Sequence, residues 1–268
     1  MLGSALLAIA LATYALSMTL GRDSFGAINM MLLCAAFGGA VLFVVIEARL
    51  PSPLVRPALF RDRNISTGFA MSALVTTVAM TTLVVGPFYL TGALGLSPAV
   101  MGLVMTAGPL AAALAGVPAG RGVDRYGALR MTVLGVAMMT AGCSALAVLP
   151  VAWGVIGYVL ALVTTTAGFA IFQVANNTAV VTGVDAGSRG VVSGLLGLSR
   201  NLGLITGASA MGAIFSAATG KTGAAAGDGA AIATGMHVTF AVAAVLTGIA
   251  LALAIAVAKR TLPVQSPA

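Results

Sequence analysis

Three amide side chains, Gln173, Asn176 and Asn177, stand inside one apolar run, and Arg200 stands inside the next. Gln173 and Asn177 are four apart in sequence and share one face of a helix, with Asn176 beside it. Amides in such a segment must find partners in protein or in water. Two readings fit them: a polar strip along a substrate pathway near its cytoplasmic end, or hydrogen bonds between helices that fix packing. Arg200 lies well past Arg189, with Asn201 next to it. A cation at that depth costs several kcal/mol unless it is paired, snorkels or faces a water-filled cavity. It is a counter-charge to a substrate or to an acid elsewhere, or the helix begins later and leaves Arg200 near the interface. Phe88 and Tyr89 follow Pro87 at the end of another run. They contact an apolar ligand or mark the outer interface where aromatics gather, and the interface is the preferred reading.

The densest charge falls at residues 116–130, Gly-Val-Pro-Ala-Gly-Arg-Gly-Val-Asp-Arg-Tyr-Gly-Ala-Leu-Arg. Uncharged runs of roughly twenty residues flank it, about the length that crosses a bilayer core as a helix. The expectation is a short charged hinge between two spanning helices. Asp124 accepts from the free amides of a neighbouring helix start, and Arg121, Arg125 and Arg130 keep the hinge cytoplasmic.

Other chemistry is excluded by absence. The acids Asp23, Glu47, Asp62, Asp124, Asp185 and Asp228 all lie outside the middle of any run. A proton-coupled carrier needs a titratable group there, and His237, at the outer start of the last run, is a poor substitute. No phosphate-binding Gly-x-x-x-x-Gly-Lys-Ser/Thr loop, His-Glu-x-x-His pair or Ser-His-Asp set is present, so neither an enzyme nor a cofactor is expected. Cys34 and Cys143 sit in separate apolar runs and predict neither a disulfide framework nor a metal site.

The elements that carry these groups follow from composition. Hydrophobic residues make up 60% of the 268 and charged residues 7%, with a mean hydropathy of +1.10. So much apolar surface requires a lipid solvent. Eight spanning helices are expected near residues 2–20, 25–46, 65–91, 99–119, 128–149, 152–181, 191–217 and 236–258. Pro87 and Pro109 are expected to kink their helices rather than end them. Threonines at 76–82 and 164–166 are expected to bond back to their own helices. Gly190/Gly194 and Gly203/Gly207 repeat the small-xxx-small spacing of close helix contacts. The net charge of +7 is scattered over short loops, which points to membrane orientation and away from nucleic acid. Arg49, Arg56, Arg61, Arg63, Arg121, Arg125, Arg130, Arg189, Lys259 and Arg260 fall on one side, and Arg22 and Lys221 on the other. Both termini are therefore expected in the cytoplasm. The N-terminus lacks the basic segment of a signal peptide.

The pattern Gly-x-x-x-Asp-Arg-x-Gly followed by a basic residue, carried by Gly120, Asp124, Arg125, Gly127 and Arg130, resembles the cytoplasmic loop motif of the major facilitator superfamily. Leu129 stands where that motif has the first of two basic residues. The phrase Pro-Leu-Val-Arg-Pro-Ala-Leu-Phe-Arg-Asp-Arg, within residues 53–63, is similar to the segment preceding the C-terminal six-helix bundle of fourteen-helix drug/proton antiporters. The segment from Arg189 to Gly203 resembles a helix start of the same branch. The resemblance implies an all-α integral membrane protein of the bacterial inner (plasma) membrane. It implies an inserted helix pair at 1–46, a cytoplasmic linker at 47–64, a six-helix half at 65–260 and a tail at 261–268. It further implies alternating-access efflux of small apolar or cationic molecules in exchange for protons. The partners are then the bilayer, substrate, protons and an absent N-terminal six-helix half or second chain. A chain of this extent is expected not to transport alone; a half-transporter complex or a structural membrane subunit are the alternatives. In this reading Asp124 latches the closed cytoplasmic side, and Gln173, Asn176, Asn177, Arg200 and Tyr89 are the candidate pathway residues.

Overall fold

The computed structural model describes residues 2–20, 26–47, 57–220 and 228–261. Arg22, Arg49, Arg56 and Lys221 lie outside them. Among the described residues the secondary structure is helical throughout, and the chain divides into two compact units, Met1–Ser66 and Thr67–Ala268.

In the first unit α1 (Leu2–Thr19) and α2 (Ala27–Glu47) pair as a hairpin. The buried residues repeat every seventh position, Ala10 and Ser17 on α1, Asn29, Ala36 and Phe43 on α2. That period keeps one seam facing the partner helix. Gly39 lets α2 approach Ala10, and Asn29 Nδ2 donates to Ser17 O (2.6 Å) and Leu20 O (2.5 Å). One amide thus satisfies carbonyls left open at the end of α1. Met31 and Phe37, at 72% and 74% exposure, suit lipid. A short 3-10 turn (Pro57–Arg61) then leads to α3 (Arg63–Phe88). Asp62 caps it, accepting from the amides of Asn64 at 2.8 Å and Ile65 at 3.4 Å.

In the second unit α3 ends in a π-helical turn, Tyr89–Ala93, directly after Pro87. Proline removes a backbone donor, and the local register widens there. Ser97 and Pro98 open α4 (Pro98–Met105), which continues past Thr106 as α5 (Ala107–Tyr126). Pro109 cannot donate to the carbonyl of Met105, so the break falls at that point while the span continues. The remaining helices are α6 (Ala128–Ala147), α7 (Gly154–Thr182), α8 (Arg189–Thr219) and α9 (Gly229–Thr261). α6 packs on α7 and α9, and α5 on α7. The α6–α7 contact is backbone to backbone: a Cβ on Gly135 would stand 2.5 Å from Phe172 N.

Seven described helical stretches are long and apolar enough to cross a membrane, and the N-terminal helix contributes a shorter apolar piece, Leu6–Thr19. Among the described residues eight apolar helical stretches are thus present, the first shorter than a full span. Two expected boundaries move. The run expected to stop at residue 119 continues to Tyr126, and the last helix begins at Gly229 rather than 236.

Candidate functional site

The charged stretch at residues 116–130 is not a loop. Gly120, Asp124 and Arg125 lie in the last turns of α5, Gly127 makes the whole reversal with φ 87, and Arg130 is in the first turn of α6. A single residue turns the chain because glycine tolerates a φ that side chains forbid. Ala119 and Val123 are buried, the latter with Met131 and Ala175, and Gly122 gives way to the Met131 side chain. Asp124 and Arg125 point outward and are exposed. The Arg125 guanidinium sits 5.3 Å from the centroid of the Tyr126 ring. Asp124 accepts no hydrogen bond from the described residues, although a donor from a neighbouring helix start was expected. It occupies the last turn of its helix, where the helix dipole disfavours an acid.

The three amides separate. Asn176 is 2% exposed and its Nδ2 donates to Gly68 O at 3.2 Å, joining α7 to the first turns of α3. Gly68 makes the contact possible, since a Cβ there would stand 2.3 Å from Val180 Cγ2. Gln173 and Asn177 are half-buried and have no hydrogen bond to a described residue.

Arg200 is on a buried stripe. Val192, Leu196, Gly203, Gly207 and Met211 are buried at the helical spacing that includes position 200. Arg200 is half-buried, and its Nε is buried with no partner. It lies in the fourth turn of α8, so the alternative of a later helix start near the interface is set aside. The stripe packs on α3 in parallel register. A Cβ on Gly203 would stand 2.5 Å from Ala73 O, and one on Gly207 2.4 Å from Thr77 O. Thr77 Oγ1 lies 3.1 Å from Gly203 O. Arg200, one turn before Gly203, therefore comes level with residues 69–73 of α3. Asn176, bonded to Gly68, brings Gln173 and Asn177 to nearly the same depth. The fold thus gathers α7 amides and the α8 guanidinium at one level. The other spacing pair, Gly190 and Gly194, meets nothing within 4 Å.

Tyr89 belongs elsewhere. Some twenty residues of helix, about 30 Å, separate it from that level. It is fully buried among helices, whereas Phe88 is 53% exposed. The Tyr89 ring stacks on Tyr158 at 5.8 Å between centroids, and its hydroxyl has no partner. Tyr158, which sequence reasoning missed, points its hydroxyl at Met105 Sδ at 3.7 Å. Most threonines bond back to their own helices as expected, among them Thr76, Thr77, Thr165 and Thr166. Thr81 is the exception, with a buried hydroxyl that has no partner. His237 is two turns inside α9, not at its start, and its Nε2 is 2.8 Å from Leu149 O. Among the described residues no group of His, Cys, Asp and Glu could hold a metal.

Against known proteins, the family model described as "Major Facilitator Superfamily" matches residues 1–208 and again residues 65–268. The "Uncharacterized transporter YebQ" of Escherichia coli is 32% identical over 169 residues, covering 63% of this chain and 37% of that protein. The "Riboflavin transporter RibZ" of Clostridioides difficile is 26% identical over 175 residues, covering 65% and 38%. The "Multidrug resistance protein Stp" of Mycobacterium tuberculosis is 26% identical over 197 residues, covering 70% and 35%. The chain thus spans little more than a third of each of these relatives. A crystal structure of a mutant nucleoside transporter NupG shares the fold, with a TM-score of 0.60 at 18% identity over 94% of this chain and 65% of that one.

Proposed function

We propose, from the premise that this chain belongs to the major facilitator superfamily, that it forms the C-terminal side of a secondary transporter exporting small molecules in exchange for protons. In this reading residues 1–46 are the inserted pair of the fourteen-helix branch, 47–64 the cytoplasmic linker, 65–260 the six-helix half and 261–268 a cytoplasmic tail. Six further helices complete the carrier, and the two halves rock around a midplane site. The relatives' coverage supports this reading, as does the similarity to a protein named for multidrug resistance. Both termini face the cytoplasm of a bacterial cell, as the distribution of arginine and lysine favours.

The observation that carries the site is Arg200, a cation with a buried, unpartnered nitrogen on the inner stripe of a spanning helix. Charged groups inside a membrane mark substrate and ion pathways. Among the described residues Asp62, Asp124, Asp185 and Asp228 all lie near helix ends. The proton is therefore carried by helices other than these. The motif Gly120, Asp124, Arg125, Gly127 and Arg130 stands at the cytoplasmic corner, and its Asp124, without a partner among the described residues, is the acid that latches onto a helix start of the other half. Efflux of a fluorescent dye from energised cells that express the chain together with an N-terminal six-helix half tests the reading, and the chain alone is expected to give none. Arg200→Ala and Asp124→Asn are each expected to lower efflux about tenfold, which corresponds to roughly 1.4 kcal/mol. Unchanged efflux in both would favour a structural or regulatory membrane subunit. A defined crosslinked dimer would favour a half-length carrier that pairs with a second chain.

A further inference from the structure

We infer that the pathway at Arg200 selects an organic anion, a molecule presenting a carboxylate or a similarly charged oxygen pair, rather than the apolar or cationic substrate expected from sequence. The inference rests on the reading of Arg200 as a pathway residue and names the chemistry that site takes.

The charge balance carries it. Arg200 occupies a stripe whose other positions are apolar or glycine, and its Nε is buried with no hydrogen bond. A guanidinium presents five donors in a planar fork and does not lose its proton in proteins. It cannot escape the cost of burial by becoming neutral, as a lysine can. An anion brought to it would offset that cost. Among the described residues every carboxylate lies near a helix end, so none is at the depth of Arg200. Two further polar side chains lie at about that depth. Gln173 and Asn177 sit one turn apart on α7, half-buried and without a described partner. Each amide brings two N–H donors. A guanidinium with amide donors at the same level of the bundle offers what the two oxygens of a carboxylate accept, bidentate and charge-assisted hydrogen bonds. A cationic substrate would meet like charge in a low-dielectric setting, where repulsion is strong. Asn176 plays no part, because its amide is already spent on Gly68 O.

Two dyes of one xanthene scaffold and opposite charge provide the test: fluorescein, anionic above neutral pH, and rhodamine 6G, a cation. Binding is read by fluorescence anisotropy to the full chain in nanodiscs of zwitterionic phosphatidylcholine, so that the lipid favours neither dye. The expected result is saturable fluorescein binding at least tenfold tighter than rhodamine 6G. Arg200→Ala should weaken it at least tenfold. Arg200→Lys should keep part of the affinity, since it retains the charge and loses the fork. Gln173→Ala and Asn177→Ala, which leave the stripe intact, should each weaken it severalfold. Rhodamine 6G binding as tight as fluorescein overturns the inference. So do fluorescein binding unmoved by Arg200→Ala and the absence of saturable fluorescein binding.

The two failures are separable. Dye efflux that depends on Arg200, without a preference for fluorescein, removes the anion and leaves the pathway. Arg200-dependent fluorescein binding, with no efflux even when an N-terminal six-helix half is expressed beside the chain, keeps the anion site and removes the transport reading.

Discussion

A buried guanidinium nitrogen without an acceptor is the costliest feature that Arg200 brings to the second unit. Replacing the side chain by an apolar one removes a buried polar atom that has no partner. Arg200→Met is therefore expected to raise the thermal unfolding midpoint of the purified chain in detergent, while it abolishes fluorescein binding. A lower midpoint would mean that Arg200 is paired in the folded protein. Asn176 predicts the opposite. Its amide is 2% exposed and bonds Gly68 O, so Asn176→Ala should cost about 1–2 kcal/mol and lower the midpoint. Tyr89→Phe, like Arg200→Met, should raise the midpoint, since the hydroxyl it removes is buried without a partner. The sequence showed each of these residues inside an apolar run and could not tell a satisfied amide from a free one. Burial and partner are properties of the neighbouring helix, and Gly68 lies more than a hundred residues away in the chain.

Between elements, the α3–α8 seam depends on residues without side chains. Gly203 and Gly207 bring the α8 backbone against the carbonyls of Ala73 and Thr77. Gly203→Ala should destabilise by about 1–3 kcal/mol through overpacking, read as a lower unfolding midpoint. Gly194→Ala, which meets nothing within 4 Å, should instead stabilise by about 0.5–1 kcal/mol, because glycine weakens a helix interior. Equal effects at the two positions would show that the seam is not tight. Both pairs carry the same spacing in the sequence, which is why spacing alone did not separate them. The corner between α5 and α6 shows the same limit in another form. Its charge and glycines mark a turn, yet only Gly127 leaves the helix. Charged residues at a membrane surface remain compatible with helix, so the charge reported the interface and not the end of the element.

For the molecule as a whole, the lipid environment and the orientation carry the reading. After Cys34→Ser, leaving the buried Cys143, Tyr126→Cys should resist a membrane-impermeant maleimide in intact cells and react once the cells are opened. Reaction from outside would invert the topology and move the whole motif to the other face. The membrane class was already plain from 60% hydrophobic residues and 7% charged, because the solvent of so apolar a chain is decided by the chain's own chemistry. The number of apolar helices and the placement of most of them were legible for the same reason, since each must satisfy its backbone within itself.

The sequence by itself determined what depends on composition and local spacing: an all-helical membrane protein, the family motif at the α5–α6 corner, and which polar residues are carried into the apolar runs. Only the tertiary structure decided which of those polar groups are occupied. Asn176 is bonded, Gln173 and Asn177 are without a described partner, Arg200 lies on an inner stripe at their depth, and Tyr89 lies far from them. The reason is that hydrogen bonding and desolvation are settled between helices, by side chains that are distant in sequence and meet only when the backbones pack.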